Sequence, residues 1–232
     1  MEAVPLKGLR EANGWTQVEA AKRLRVSQSY WSLLEAGARE LTPRLAQRCS
    51  RALGLSPAYL PLPSTLADES LDADALARQL GALGYSPFAY LKLKTGDLLR
   101  NPVELFVRAL LVANLDPRLA EGLPWLLLRH RLDEDWLVTQ AKLHDLQNRV
   151  GFLVSLAREL AERHDSFTDR PFDLAELEAK LERSRLAGED TLCEDSMTEV
   201  MRQALRQSRS PAAAHWNLVT DWKLEHLQHD RW

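Results

Sequence analysis

Thr16–Gly37 reads TQVEAAKRLRVSQSYWSLLEAG, and the fold of the N-terminal region turns on it. Two helix starts lie close together. Thr16 is a good N-cap, and Glu19 three residues on completes a capping box. Ser27 is a second N-cap, and Gly37 closes the helix it opens. Val18, Ala21 and Leu24 are expected to face inward on the first helix, with Ala20 small enough for a close crossing. Trp31 and Leu34 do the same on the second. Polar residues stand between them that no core requires: Gln17, Gln28, Ser29 and Ser32.

The same signals continue on both sides. Pro5 opens an earlier helix, which ends at Asn13-Gly14. Thr42-Pro43 starts a later one, with Leu45, Cys49, Ala52 and Leu53 as its core stripe and Gly54 as its stop. Ser56-Pro57 repeats the start signal for a short fifth helix through Leu60. Five short helices are thus predicted in residues 1–60.

In the segments LREANGWTQVEAAKRL, VSQSYWSLLEAG and LAQRCSRALGL the chain resembles the helix-turn-helix domain of the lambda-repressor and Cro-like (XRE) transcriptional regulators. The resemblance implies that the Thr16 helix braces the Ser27 helix, and that the latter enters the major groove of duplex DNA. It implies base contacts from Gln28, Ser29, Ser32 and Leu33: Gln28 with adenine, Leu33 with a thymine methyl. Gln17 is implied to touch phosphate and to support the first recognition residue. Arg39 and Thr42 are implied backbone contacts, and Lys22, Arg23 and Arg44 are candidate phosphate contacts that also read as solvated surface. Two residues depart from the pattern. Arg25 stands in the turn where the family usually has Gly, and Trp31 replaces a smaller aliphatic. Trp31 is either an enlarged core residue or a displaced one that tilts the helix.

Charge supports this division. The chain of 232 residues has a net charge of −3, with 30 Lys and Arg and 33 Asp and Glu. Residues 1–60 hold nine of the bases and five of the acids, +4, which leaves −7 on the remainder. A basic head on an acidic body fits a nucleic-acid contact confined to the head.

Helix formers dominate the whole sequence and no run of alternating β-branched residues stands out, so the expected fold is all-α: a five-helix domain at 1–60, a proline-stiffened linker at 61–67, and an α-helical bundle at 68–232 that dimerises or binds a partner. Body helices are expected over Asp68–Leu83, Pro102–Leu115, Pro117–His130, Asp133–Arg163, Leu174–Leu186 with Asp173 as cap, and Glu194–Arg206. A last one opens at Ser210-Pro211 and carries Trp216, Val219 and Trp222. Within Asp133–Arg163, Leu143, Leu146, Val150, Leu153, Ala157 and Leu160 repeat at steps of three and four. That is either a dimer seam or a bundle-core stripe; Phe152, Val154 and Leu156 widen it toward a core. Trp216 and Trp222 either dock on the body or anchor a partner.

Signals for chemistry are weak. Gly81-Ala-Leu-Gly84 lacks the lysine and spacing of a phosphate loop, and no H-E-x-x-H occurs. His226-Leu-Gln-His229-Asp230 is a thin case for a metal at a terminus. His144-Asp145 and His164-Asp165 are helix neighbours that diverge by about 100°, so neither makes a dyad. Cys49 lies on an apolar stripe and reads as core. The expectations are no enzyme activity, no metal and no cofactor. No segment reaches the roughly 20 apolar residues of a membrane span, and no signal peptide is read, so a cytoplasmic, nucleoid-associated protein is expected.

The leading functional reading is a sequence-specific transcriptional regulator, a repressor, that binds an inverted repeat of double-stranded DNA as a homodimer. The alternative is an antitoxin or defence-system controller whose body binds a toxin or effector and whose DNA binding is autoregulatory. A third reading places a ligand pocket beside Trp125 and Trp136.

Overall fold

The structure, a computed structural model, describes residues 4–66, 71–164, 167, 170–194 and 196–227. Four α-helices form the N-terminal unit: α1 (Leu6–Ala12), α2 (Gln17–Leu24), α3 (Gln28–Glu35) and α4 (Pro43–Leu53). The expected fifth helix is a single 3-10 turn at Pro57–Tyr59, capped by Ser56. Leu6, Ala20, Ala21, Leu24, Trp31, Leu34, Leu45, Cys49, Leu53 and Leu55 make its core. Val18 is exposed instead, because the capping box phases α2 so that Ala20, Ala21 and Leu24 turn inward. Cys49 is core, as read, and burial pushes its thiol up to about 11.

The body follows as α5 (Ala73–Leu83), α6 (Pro102–Leu110), α7 (Pro117–Ala120), α8 (Gly122–Arg129), α9 (Glu134–Leu143), α10 (Gln147–Glu162), α11 (Arg170–Glu182), α12 (Glu199–Ser208) and α13 (Pro211–His215). Its core is separate from that of the N-terminal unit and is built around α10, which packs on α8, α11 and α13. The expected start of α5 at Asp68 lies outside the described residues; Asp72 caps the helix that is seen. Asp173, expected as a cap, sits inside the first turn of α11. Gly81 meets the Phe88 carbonyl so closely that a Cβ there would stand 2.1 Å from the oxygen, which gives that glycine a packing role.

The long helix expected over Asp133–Arg163 is two helices. Asp145 adopts a left-handed conformation, φ 55°, and Leu146 N–H donates to Ala141 O at 2.8 Å. That is a Schellman-type stop, at a residue type whose short side chain tolerates positive φ. The stop corrects the dimer-seam reading. Leu143 ends α9 and is 67% exposed, whereas Leu146, Val150 and Leu153 are buried in the body's own core. A stripe already covered by its own chain offers nothing to a second copy.

The C-terminal expectation is corrected too. α13 stops at His215, Asn217 turns left-handed at φ 51°, and Leu218–Val219 (β2) pairs in parallel with Asp190–Thr191 (β1). Trp216 is fully buried, not an anchor for a partner. Its ring lies over Gly151, where a Cβ would come within 2.4 Å of it, and its indole N–H donates to Ser155 Oγ at 2.8 Å. Trp222 is half-buried against the same core. Trp125 packs on Tyr85 and His130, with ring centroids 5.3 and 5.5 Å apart, and Trp136 donates its indole N–H to Pro63 O. These two tryptophans are packing residues, which removes the basis for a pocket between them. Among the described residues no helix is long and apolar enough to cross a membrane.

Candidate nucleic-acid interface

The α2–α3 pair is set by its caps. Thr16 Oγ1 accepts from Glu19 N–H at 3.2 Å while the Glu19 carboxylate accepts from Thr16 N–H at 2.8 Å, closing the capping box. The Thr16 N–H, and then the Thr16 hydroxyl at 3.0 Å, donate to the Glu19 carboxylate and hold it below the usual carboxylate range. Ser27 Oγ accepts from Tyr30 N–H at 3.2 Å and starts α3. Between the helices Arg25 is left-handed, φ 55° and ψ 49°, so the chain makes the turn that Gly usually makes without Gly. The cost for an L-residue is about 1–2 kcal/mol. Arg48 donates to Leu24 O and so satisfies a carbonyl at the end of α2.

Trp31 settles as an enlarged core residue, fully buried, rather than a displaced one. Its indole N–H donates to Glu35 Oε1 at 2.7 Å. Glu35 is the hub of the unit. It also accepts from Arg10 Nε at 2.5 Å and from Gln17 Nε2 at 2.8 Å, and it thereby ties α1 and α2 to the end of α3. Burial alone would raise its pKa; the hydrogen bonds from Arg10, Gln17 and Trp31, with the Arg10 charge, outweigh burial and hold the carboxyl low. Arg10 in turn is raised, chiefly by its hydrogen bond to Glu35, and it also donates to Trp15 O.

Gln17 passes this order outward. Its Oε1 accepts from Gln28 Nε2 at 3.0 Å, so the first outward side chain of α3 is held by the bracing helix. Gln28 and Ser29 are exposed, Leu33 is 43% exposed, and Ser32 is half-buried at the edge of the same flank. Of the expected phosphate contacts, Gln17 is half-buried and engaged with Glu35, while Lys22, Arg23, Arg39, Thr42 and Arg44 are exposed. The Arg23 guanidinium lies 4.1 Å from the centroid of the Trp15 ring, which gives it a packing role as well. Thr42 is the N-cap of α4 but closes no side-chain cap bond. With Arg44 in its first turn, that helix start presents N–H groups of the kind that donate to phosphates.

Arg10 and Glu35 were not read as functional from sequence. One signal was there: Glu35 is the last residue of α3, where the helix dipole disfavours an anion, so its presence asks for a cationic partner elsewhere.

No curated protein and no solved structure matches the chain. Residues 3–61 match the family model for a helix-turn-helix domain, and this N-terminal unit is a helix-turn-helix domain of the lambda-repressor-like (XRE) kind.

Proposed function

We propose that the protein is a sequence-specific transcriptional regulator, a repressor, that binds an inverted repeat in duplex DNA as a dimer. One observation carries this reading. The inner flank of α3 is locked into the core by Trp31 and Leu34, while its outer flank, Gln28, Ser29 and Leu33 with Ser32 at the edge, is left uncovered by the body. A helix held this way can enter a major groove without rearrangement. The charge split favours one orientation, since the −7 body is repelled by phosphates and the +4 head is drawn to them. We assign the protein no chemistry of its own; regulation comes from occupying the site. The partner-binding alternative loses its main support, because Trp216 is core and Trp222 lies half-buried against it.

The test starts from a duplex selected out of a random pool by the full chain. Binding should weaken steeply as salt rises, as expected when lysines and arginines displace counterions. Gln28→Ala should cost about 1–3 kcal/mol on the selected sequence and relax the preference at a single base position. Arg39→Ala should weaken binding to all sequences alike. Equal affinity of wild type and the Gln28/Ser32/Arg39 triple alanine variant would end the proposal.

A further inference from the structure

Beside the head, the acidic body carries a basic segment. Residues 89–100 hold Lys92, Lys94 and Arg100 against one acid, Asp97, a net +2 within a body of −7. Arg100 pairs with Glu104 at 2.7 Å. Lys92 and Lys94 are exposed, and no carboxylate pairs with either among the described residues. Exposure alternates along the stretch as in an extended chain. Tyr90, Lys92 and Lys94 stand outward, whereas Leu91 and Leu93 are half-buried and Leu91 packs on the body core.

A tight turn follows. Lys94 N–H donates to Asp97 Oδ2 and Asp97 N–H to Lys94 O, each at 3.0 Å, and Gly96 supplies the left-handed residue, φ 96°. The segment's one carboxylate is thereby taken up by its own backbone. At the exposed tip, the Thr95 hydroxyl and the N–H groups of Thr95 and Gly96 bond to nothing among the described residues. Two buried glutamines fix what comes next. Gln79 of α5 donates to Leu98 O at 2.9 Å and accepts from Arg100 N–H at 3.0 Å, and Gln47 of α4 brackets Leu99 in the same way. Pro43, in the first turn of α4, lines one cleft with Gly96, Asp97 and Leu98. The turn therefore stands beside the start of α4, where Thr42 and Arg44 are the expected phosphate contacts.

We propose that the Lys94–Asp97 turn, with Lys92, is a second phosphate-binding element, which holds the duplex backbone flanking the base pairs that α3 reads. Lysines, hydroxyls and backbone N–H groups are the donors that position a protein on DNA without reading sequence. Charge selects this occupant, and so does continuity, because the turn extends the row of Arg39, Thr42 and Arg44 onto the body. The proposal rests on the DNA-binding reading and deepens it: one chain covers more duplex than its helix-turn-helix unit alone. An acidic protein bound to the same lysines would leave DNA affinity untouched by their removal.

The test compares the full-length wild type with Lys92→Ala/Lys94→Ala on the selected duplex, with and without flanking base pairs. Neither side chain has a bond to lose, so urea melts should coincide. On the flanked duplex the variant should bind more weakly with unchanged base preference. Its slope of log K against log[salt] should be shallower by about 1.8, or about 0.9 for each phosphate given up. The gap to wild type should then narrow about tenfold between 50 and 200 mM salt. Lys92→Arg/Lys94→Arg should restore the slope. On a single half-site trimmed to the base pairs under α3, variant and wild type should bind alike. A double alanine variant with wild-type affinity and slope on the flanked duplex overturns this proposal and leaves the regulator reading standing, as does a loss equally large on the trimmed one. A wild type that binds no duplex at any salt overturns both.

Discussion

Glu35→Ala tests the hub on which the recognition surface is built. In the wild type the carboxylate and the Arg10 guanidinium lie at 5% and 10% side-chain exposure. Removing the carboxylate leaves Arg10 with the Trp15 carbonyl and the more exposed Glu11 carboxylate, 3.3 Å away, and it takes from Trp31 the acceptor of its indole N–H. Breaking a buried ion pair from one side costs about 3–5 kcal/mol, and an orphaned buried donor about 1–3 kcal/mol. The two overlap, and the site lies near the edge of a small unit, so we expect about 3 kcal/mol from urea unfolding of the full chain. Arg10→Leu/Glu35→Leu should cost less than either single change, because no buried charge is left without its buried counterion. Binding should fall as well, since Gln17 loses its anchor and Gln28 loses an oriented Gln17. A Glu35→Ala protein destabilised by under about 1 kcal/mol, with Gln28 contacts intact by footprinting, would refute the hub.

Other perturbations test other links. Arg25→Gly should stabilise the N-terminal unit by about 1 kcal/mol in the same melts, by releasing left-handed strain. Gly151→Ala should destabilise the body by about 1–3 kcal/mol or more, because the new methyl meets the Trp216 ring, and the near-UV dichroism of the buried tryptophan should change with it. His130 has its pKa lowered to about 4, first by burial and then by Arg170 and Arg129. Its unfolded pKa is higher, so the unfolded state takes up a proton first as pH falls. Stability should be full above about pH 6.5 and decline toward pH 4, by about 3 kcal/mol for this group alone. His130→Gln should flatten that slope in a pH series of urea melts.

The N-terminal unit was legible because its signals are local. Thr16 with Glu19, Ser27, Thr42-Pro43 and Gly54 each set a helix end within a few residues, and the structure puts helix ends there. What escaped was long-range: the Arg10–Glu35 pair spans 25 residues, and sequence spacing carries no such information. In the body the heptad steps from Leu143 to Leu160 were real, but they cross Asp145, and nothing local marks an aspartate as a left-handed stop. The run Trp216–Trp222 failed for a similar reason. A helix was read past Asn217, where backbone pairing with a strand about 30 residues upstream takes over. Residues His229, Asp230 and Asp165, weighed as parts of polar motifs, lie outside the described residues.

The expected linker is where sequence and structure differ with most consequence for function. Residues 61–66 do not swing between two domains: Leu62 and Leu66 pack on the body core, and Pro63 O is held by Trp136. On either side the two units are stitched by side chains on backbone. Gln47 of α4 donates to Leu99 O at 2.5 Å and accepts from Leu99 N–H at 3.2 Å. Asn101 Nδ2 donates to Ala58 O and Leu60 O, at 3.0 and 2.7 Å, while its Oδ1 caps α6. A free linker would let each head search for its half-site alone, so half-site spacing would be loosely read. With Gln47 and Asn101 fixing the head to the body, any dimer made through the body dictates where both α3 helices lie. Half-sites one helical turn apart require about 34 Å between them. Gln47→Ala/Asn101→Ala should then leave affinity for one half-site unchanged and broaden the tolerated spacing between two. A doubly substituted protein as strict about spacing as the wild type would mean that the stitches do not set it.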